Sequence, residues 1–383
     1  MIYLDNNATT RLDSRILDAM MPYFGEEYGN PSSAHKHGLK AMLAVDKARD
    51  DIAGVLGAHS SEIFFTSGAT ESNNTVLKGS YFKAIQQGNV KPHYIVGAIE
   101  HKCVLNAAHF LESLGAEVSY VAPSNEGVIN VDDVAEAIRP NTVLVSLMWA
   151  NNEIGSINPI NEIAAVCQKA GVLFHTDAAQ AIGKLTVNTS KMSIDFLTGS
   201  AHKFYGPKGV GLLYIKRDSR DSIEPLLHGG GQEDGVRSGT LNVPGIVGMA
   251  HAVKLFCSEQ YVVGESQRQH VLAETLYQGL KVIAPNIQLN GPPIGHSRLS
   301  NNVNVSLPSI NEKIFNKKIK GLMISSGSAC SSAELKASYV LTGIGLPELL
   351  AFKSYRIGLG KDTTPEEVND ALKILSDAYE ASI

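Results

Sequence analysis

The residues with the most pointed chemistry lie between His175 and Gly211. The apolar run Gly171-Val-Leu-Phe174 reads as a buried strand, with Asp177 at its end and Gln180 three residues on. A second run, Ile194 to Leu197, leads into Ser200, Ala201, His202 and Lys203, and a third follows from Val210 to Ile215 after Gly206, Pro207 and Gly209. An acid and a lysine thus sit on loops at the ends of two successive strands, where open α/β sheets bind ligands. A lysine amine can hold an aldehyde carbon, and a carboxylate can keep a pyridine nitrogen protonated, the pairing that a pyridoxal phosphate site requires. In that reading Gln180 donates to the phenolic oxygen, while Ser200 and His202 bind phosphate. Taken singly, Asp177 and Lys203 read more readily as a helix-capping acid and a surface lysine; it is the whole set at this spacing that favours the cofactor site.

Further candidates surround this pair. The strand Ile63-Phe-Phe-Thr66 runs into Ser67-Gly-Ala-Thr-Glu-Ser-Asn-Asn74, a turn that aims backbone N–H groups at an anion, with Ala69 and Thr70 best placed. His101 follows the strand Tyr94–Ile99, where an imidazole with an ordinary pKa of about 6.5 can stack on a flat ring and shuttle protons. Cys330 sits in Ser325-Ser-Gly-Ser-Ala-Cys-Ser-Ser332, too rich in Ser and Gly for a buried strand, so it is expected on an exposed, flexible loop. Cys103, Cys167 and Cys257 are expected to be buried small hydrophobes. Arg356 can clamp a carboxylate through its planar fork, and Asn152 can bind the same carboxylate or the phenolic oxygen. Thr240 and Arg237 fall in a Gly-rich connection.

The elements that must position these residues alternate. Short apolar strands at 63–66, 94–99, 117–121 and 143–149 are separated by helical stretches such as 39–56 and 102–114. This implies a mostly parallel sheet with helices on both faces. Beyond Tyr214 the pattern changes to a long helical region from Val243 to about Val282, strands at 302–306 and 355–358, and a final helix from Thr364 to Tyr379. We expect a large domain near 15–255 and a smaller one built from 1–14 and 256–383.

The 383 residues suit two domains, and 44 % hydrophobic with 19 % charged content is ordinary for a globular protein. A net charge of −5 gives no reason to expect direct nucleic-acid binding. No apolar run reaches the ~18 residues of a membrane span, and Met1–Asp5 has neither the basic nor the apolar region of a secretory signal. Four widely spaced cysteines without a CxxC fit a reducing cytoplasm and no metal site.

The blocks YLDNNATT, GNPSS, FTSGATESNN, EHKCVL, NNEIG, HTDAAQ, SAHKFYGPKG, HGGGQE, RSGT and SSGSACSS resemble, in order, those of cysteine desulfurases of the NifS/IscS group. The resemblance spans about residues 1–375. It implies the pyridoxal-phosphate-dependent fold type I: a large domain with a mostly parallel mixed sheet flanked by helices, plus a smaller α+β domain. It further implies Lys203 as the Schiff-base lysine, Asp177 and Gln180 tuning the ring, and His101 stacking on it. Thr70, Ser200, His202 and Thr240 would hold phosphate, Asn152 and Arg356 substrate, and Cys330 the sulfur. The loop with Thr240 would reach the partner subunit's cofactor, implying a homodimer. The substrate would be L-cysteine and the sulfur would pass to a protein acceptor, for iron–sulfur cluster assembly, tRNA thiolation or DNA phosphorothioation. The family's housekeeping members continue roughly twenty residues past the position of Ile383, in a tail that contacts the iron–sulfur scaffold, a departure that puts that partner in doubt. Lys313, Lys317, Lys318 and Lys320 form either a solvated helix face or a docking patch for an acidic partner. An aminotransferase, a β-eliminating lyase and a cofactor-free scaffold stay open as other readings.

Overall fold

The computed structural model describes residues 1–329 and 336–383. Its centre is a seven-stranded sheet made of β1 (Ile63–Thr66), β2 (His93–Gly97), β3 (Glu117–Val121), β4 (Thr142–Ser146), β5 (Leu173–Asp177), β6 (Phe196–Ser200) and β7 (Gly211–Ile215). The strand order is β1-β7-β6-β5-β4-β2-β3. Only β7 runs antiparallel to its neighbours. Strands β1, β2, β6 and β7 are buried along their whole length. β1 and β7 accordingly read as near-continuous apolar runs rather than alternating ones. One face is covered by a cluster that includes Ile52, Phe174, Ile182 and Met249, the other by Val76, Leu77, Tyr94 and Phe196.

This topology gathers the chemistry at one edge. The carboxyl ends of β1, β2, β4, β5 and β6 lie together, so the loops after Thr66, Gly97, Ser146, Asp177 and Ser200 converge. β7 starts at that edge, with Gly211 in register with both Thr66 and Ser200. A Cβ on Gly211 would come within 2.4 Å of the Gly68 backbone, so only glycine lets this strand pass behind the turn leading into the helix Ala69–Gln86.

A second antiparallel sheet pairs Ser325–Ser326, Ser354–Gly358, Asn302–Ser306 and Gln288–Leu289 in that order. Its apolar cluster is its own: Leu272, Leu276 and Leu280 from the helix Glu259–Ile283 meet Val303, Ile357 and Val368. The first residues tie the two sheets together. Ile2–Tyr3 pair with Leu322–Met323, Asn6 N–H donates to Gly358 O, and Thr10 N–H donates to His202 O.

The long helical stretch expected from Val243 to Val282 is two helices, Val243–Phe256 and Glu259–Ile283. Cys257 leaves helical geometry and the Ser258 side chain accepts the Tyr261 N–H, starting a new helix. Near the N-terminus the helix Ser14–Met20 passes directly into a tighter 3₁₀ turn, Met21–Phe24, at Pro22. The final helix begins as expected: Thr364 and Glu367 form a reciprocal capping box.

Candidate functional site

The converging loops enclose a cavity of about 600 Å³. It is lined by Ala69, Thr70, His101, Asn152, Asp177, Gln180, Ser200, His202, Lys203 and Arg356, so ten of the sequence-derived candidates come together.

Lys203 leaves the end of β6 in a short 3₁₀ turn and donates from Nζ to Asn7 O at 2.9 Å and Ala8 O at 2.7 Å. Burial lowers its pKa to about 8, and Arg356 pushes the same way against Asp177 and Asp5. At neutral pH a useful fraction of the amine is thus unprotonated and nucleophilic. Asp177 is held from both sides: Asn73 Nδ2 donates to Oδ2 at 2.7 Å and the Ala179 N–H to Oδ1 at 2.9 Å. Asn73 is itself oriented by Thr198, whose hydroxyl donates to Asn73 Oδ1 at 2.6 Å. Among the described residues the Asp177 carboxylate has no ion-pair partner, which suits it to meeting a protonated ring nitrogen.

Ala69 and Thr70 open the helix Ala69–Gln86, whose first N–H groups have no intrahelical acceptor. Ser200 is buried at the end of β6, across from Gly68. His202 Nδ1 lies 3.1 Å from Thr9 Oγ1, and desolvation, aided by Lys203, Lys208 and Lys184, lowers its pKa to about 4. It is a neutral hydrogen-bonding group rather than a charge. His101 caps the helix Lys102–Ser113, its Nδ1 accepting the Cys103 N–H at 3.3 Å, which leaves Nε2 to carry the ring proton. Desolvation lowers its pKa, with Asp177 opposing and Lys203 and Lys102 reinforcing the shift. Its loop is anchored by the buried Glu100, whose Oε1 accepts the Met148 N–H at 2.6 Å. Burial pushes the Glu100 carboxyl well above its ordinary value.

Among the other lining residues, Arg356 Nη1 donates to Asn152 O at 3.1 Å and Nη2 to Asp5 Oδ1 at 2.7 Å and Ser325 Oγ at 2.8 Å. Arg356 Nε and Asn152 Oδ1 are buried without a partner among the described residues. Two such atoms on one cavity wall are the signature of a site completed by a polar ligand.

Thr240 is exposed and does not line this cavity. Cys330 lies outside the described residues, which stop at Ala329 and resume at Lys336, where Ser328–Ala329 pair with Lys336–Ala337. Cys167 and Cys257 are buried as expected. Cys103 is not: it is only partly buried and lines the cavity, accepting from Asn73 Nδ2 at 3.1 Å. Its place in the first turn of a helix starting at the cavity puts it there. Burial pushes its thiol up to about 12, so it is an unreactive neutral group. Residues 7–9, which the polar opening alone did not assign to the site, supply the carbonyls that hold Lys203 and the hydroxyl beside His202.

Comparison with known proteins now decides the family. The model for "Aminotransferase class-V" matches residues 2–371. This chain belongs to the aminotransferase class-V family. Among curated class-V relatives, a mitosomal cysteine desulfurase of Trachipleistophora hominis is 45 % identical over 98 % of this chain and 86 % of its own length. Cysteine desulfurase IscS of Dictyoglomus turgidum is 42 % identical over 99 % and 94 %. A solved NifS-like protein superposes with a TM-score of 0.90 at 38 % identity, covering 99 % of both chains. The class-V cofactor is pyridoxal 5′-phosphate. The donor set fits it: an amine of lowered pKa at Lys203, a fixed carboxylate at Asp177, and a helix N-terminus beside Ser200 and His202 for the phosphate.

Proposed function

We propose that this chain is a cysteine desulfurase that takes L-cysteine, releases L-alanine and retains the sulfur on Cys330 as a persulfide for a protein acceptor. The observation that carries the reading is the convergence of Lys203, Asp177 and Arg356 on one cavity. Bound pyridoxal phosphate supplies an electron sink for the bonds around the substrate's α-carbon. Asp177 holds the proton on the ring nitrogen, Gln180 donates to the phenolic oxygen, and His101 covers the ring face. Ala69, Thr70, Ser200 and His202 receive the phosphate. Arg356 and Asn152 orient the substrate carboxylate, and Lys203 Nζ takes up the Cα proton. The Cys330 thiolate attacks the substrate sulfur: the new S–S bond forms as the Cβ–S bond breaks, and the carbon left behind gains a proton to become the alanine methyl group.

Thr240, exposed away from the cavity, fits a residue that completes the partner's phosphate site in a homodimer. Exposed Phe24, Tyr28, Leu39 and Leu43 supply apolar surface for such an interface. The separate apolar clusters of the two sheets support a division into 15–255 and the remainder. Free cysteines among the described residues fit a cytoplasmic setting. Iron–sulfur cluster assembly, tRNA thiolation and DNA phosphorothioation are the candidate destinations of the sulfur. The test is product analysis of the loaded protein with L-cysteine and a thiol reductant. Alanine and sulfide in equal amounts are expected, whereas pyruvate and ammonia, or a requirement for a keto acid, would identify a lyase or an aminotransferase.

A further inference from the structure

Beneath the cavity floor is an amine that no step above uses. Gly183, in left-handed geometry with φ +79°, turns the chain after Gln180 so closely against Phe204 that a Cβ would lie 2.7 Å from the Phe204 Cβ. The next residue, Lys184, is thereby directed under the segment that carries Lys203. Its Nζ donates to Gln180 Oε1 at 3.2 Å and reaches Gln180 O and Lys203 O at 3.4 Å. These backbone and amide oxygens are its acceptors among the described residues. The titratable groups around it are Lys203, Cys257, Tyr205 and Glu265.

The consequence falls on Gln180. Its Nε2 donates to Asn7 O at 2.9 Å, the same oxygen that accepts Lys203 Nζ at 2.9 Å. With Oε1 held by Lys184 and one N–H by Asn7, the amide has a single N–H left for the cavity it lines. A flipped amide would set its oxygen against the Asn7 carbonyl and, while Lys184 is protonated, its NH₂ against an ammonium that has only donors. It would also turn an acceptor toward any oxygen bound in the cavity.

We propose that Lys184 is a positioning residue: it locks the Gln180 amide so that its free N–H, rather than its oxygen, meets the phenolic oxygen of the cofactor. This rests on the placement of Gln180 in the proposed site. A donor at that oxygen stabilises its negative charge most when the neighbouring Lys203 nitrogen has lost its proton. Losing the donor therefore raises the pH at which the visible absorbance of the loaded protein titrates.

Spectrophotometric pH titration of the loaded wild type, Gln180→Ala, Lys184→Met and the double variant tests this without measuring turnover. Gln180→Ala should raise the midpoint by about 1 pH unit, the worth of one hydrogen bond. Lys184→Met should raise it by a similar amount, and the double variant should add little more. Lys184→Gln, too short to reach Oε1, is a second variant expected to behave as Lys184→Met. An unshifted Lys184→Met midpoint beside a shifted Gln180→Ala would overturn the proposal. So would a Lys184→Met shift of the same size in the Gln180→Ala background, which would mean that only the charge mattered. An unshifted Gln180→Ala midpoint would instead remove Gln180 from the phenolic oxygen and the proposal with it, leaving the desulfurase reading standing.

Discussion

Asp5 Oδ1 lies 2.7 Å from Arg356 Nη2, and Ser325 Oγ is 2.8 Å from each of them. This triad joins the N-terminal segment, the strand Ser354–Gly358 and the strand that leads toward Cys330. It fixes one edge of the guanidinium and, among the described residues, leaves Nε without a partner, so the Arg356 fork is held in place at the cavity it lines.

Arg356→Lys keeps the charge but loses the planar fork. We expect kcat/KM for L-cysteine to fall by about 10- to 100-fold, the worth of one or two charge-assisted hydrogen bonds. Most of the loss should appear in KM. Steady-state kinetics checks this; an unchanged KM would place the carboxylate elsewhere.

Lys203 is expected to capture the cofactor aldehyde as the neutral amine. With a pKa of about 8, the rate of pyridoxal phosphate uptake by the apo-protein should rise with pH through about 8 and then level off. An ordinary lysine would keep gaining up to about 10.4. Stopped-flow absorbance distinguishes the two, and a rate still climbing tenfold per unit between pH 9 and 10 would contradict the lowered pKa.

Asp177→Asn preserves shape but removes the charge that holds a proton on the ring nitrogen. Turnover should fall by orders of magnitude while the melting temperature changes little, because Thr198 can rotate its hydroxyl as Asn73 re-pairs. A large loss of stability with normal turnover per folded molecule would make Asp177 a structural acid.

Much of this site was legible before the fold was known, and the reason is local. Thr66 directly follows an apolar run, and Asp177 and Ser200 each come three residues after one, so the polar residues that follow a buried apolar stretch announce the carboxyl end of the strand. What was not legible depends on distant pairing. Nothing within residues 7–9 says that their carbonyls will meet Lys203, nearly two hundred positions away, and Asp5 shows its use only once Arg356 is beside it. Cys103 looked like any core cysteine because composition cannot tell the cavity-facing turn of a helix from its buried face. The break between the helices at Cys257 was hidden because both halves are apolar enough to read as one, although Ser258 is the residue type that starts a helix.

Lys184 carries a second, independent expectation. Burial, with Lys203 reinforcing it, lowers its pKa to about 7. Between pH 7 and 10 the unfolded chain therefore binds more protons at this position than the folded one. Stability rises with pH across that window, and the penalty is largest below it. In the apo-protein, urea unfolding at a series of pH values should show Lys184→Met gaining on the wild type as pH falls toward 7. A difference between the two that stays constant from pH 7 to 10 would mean that the amine titrates normally.

The central claim, that sulfur leaves L-cysteine for the Cys330 thiol, is tested most directly by mass spectrometry of the loaded protein after a single turnover without reductant. One additional sulfur atom is expected on the peptide containing Cys330, with one alanine released per active site, and Cys330→Ser should take up L-cysteine with a change of colour yet retain no sulfur. Extra sulfur on Cys103, Cys167 or Cys257, or sulfide release by Cys330→Ser at the normal rate, would contradict it.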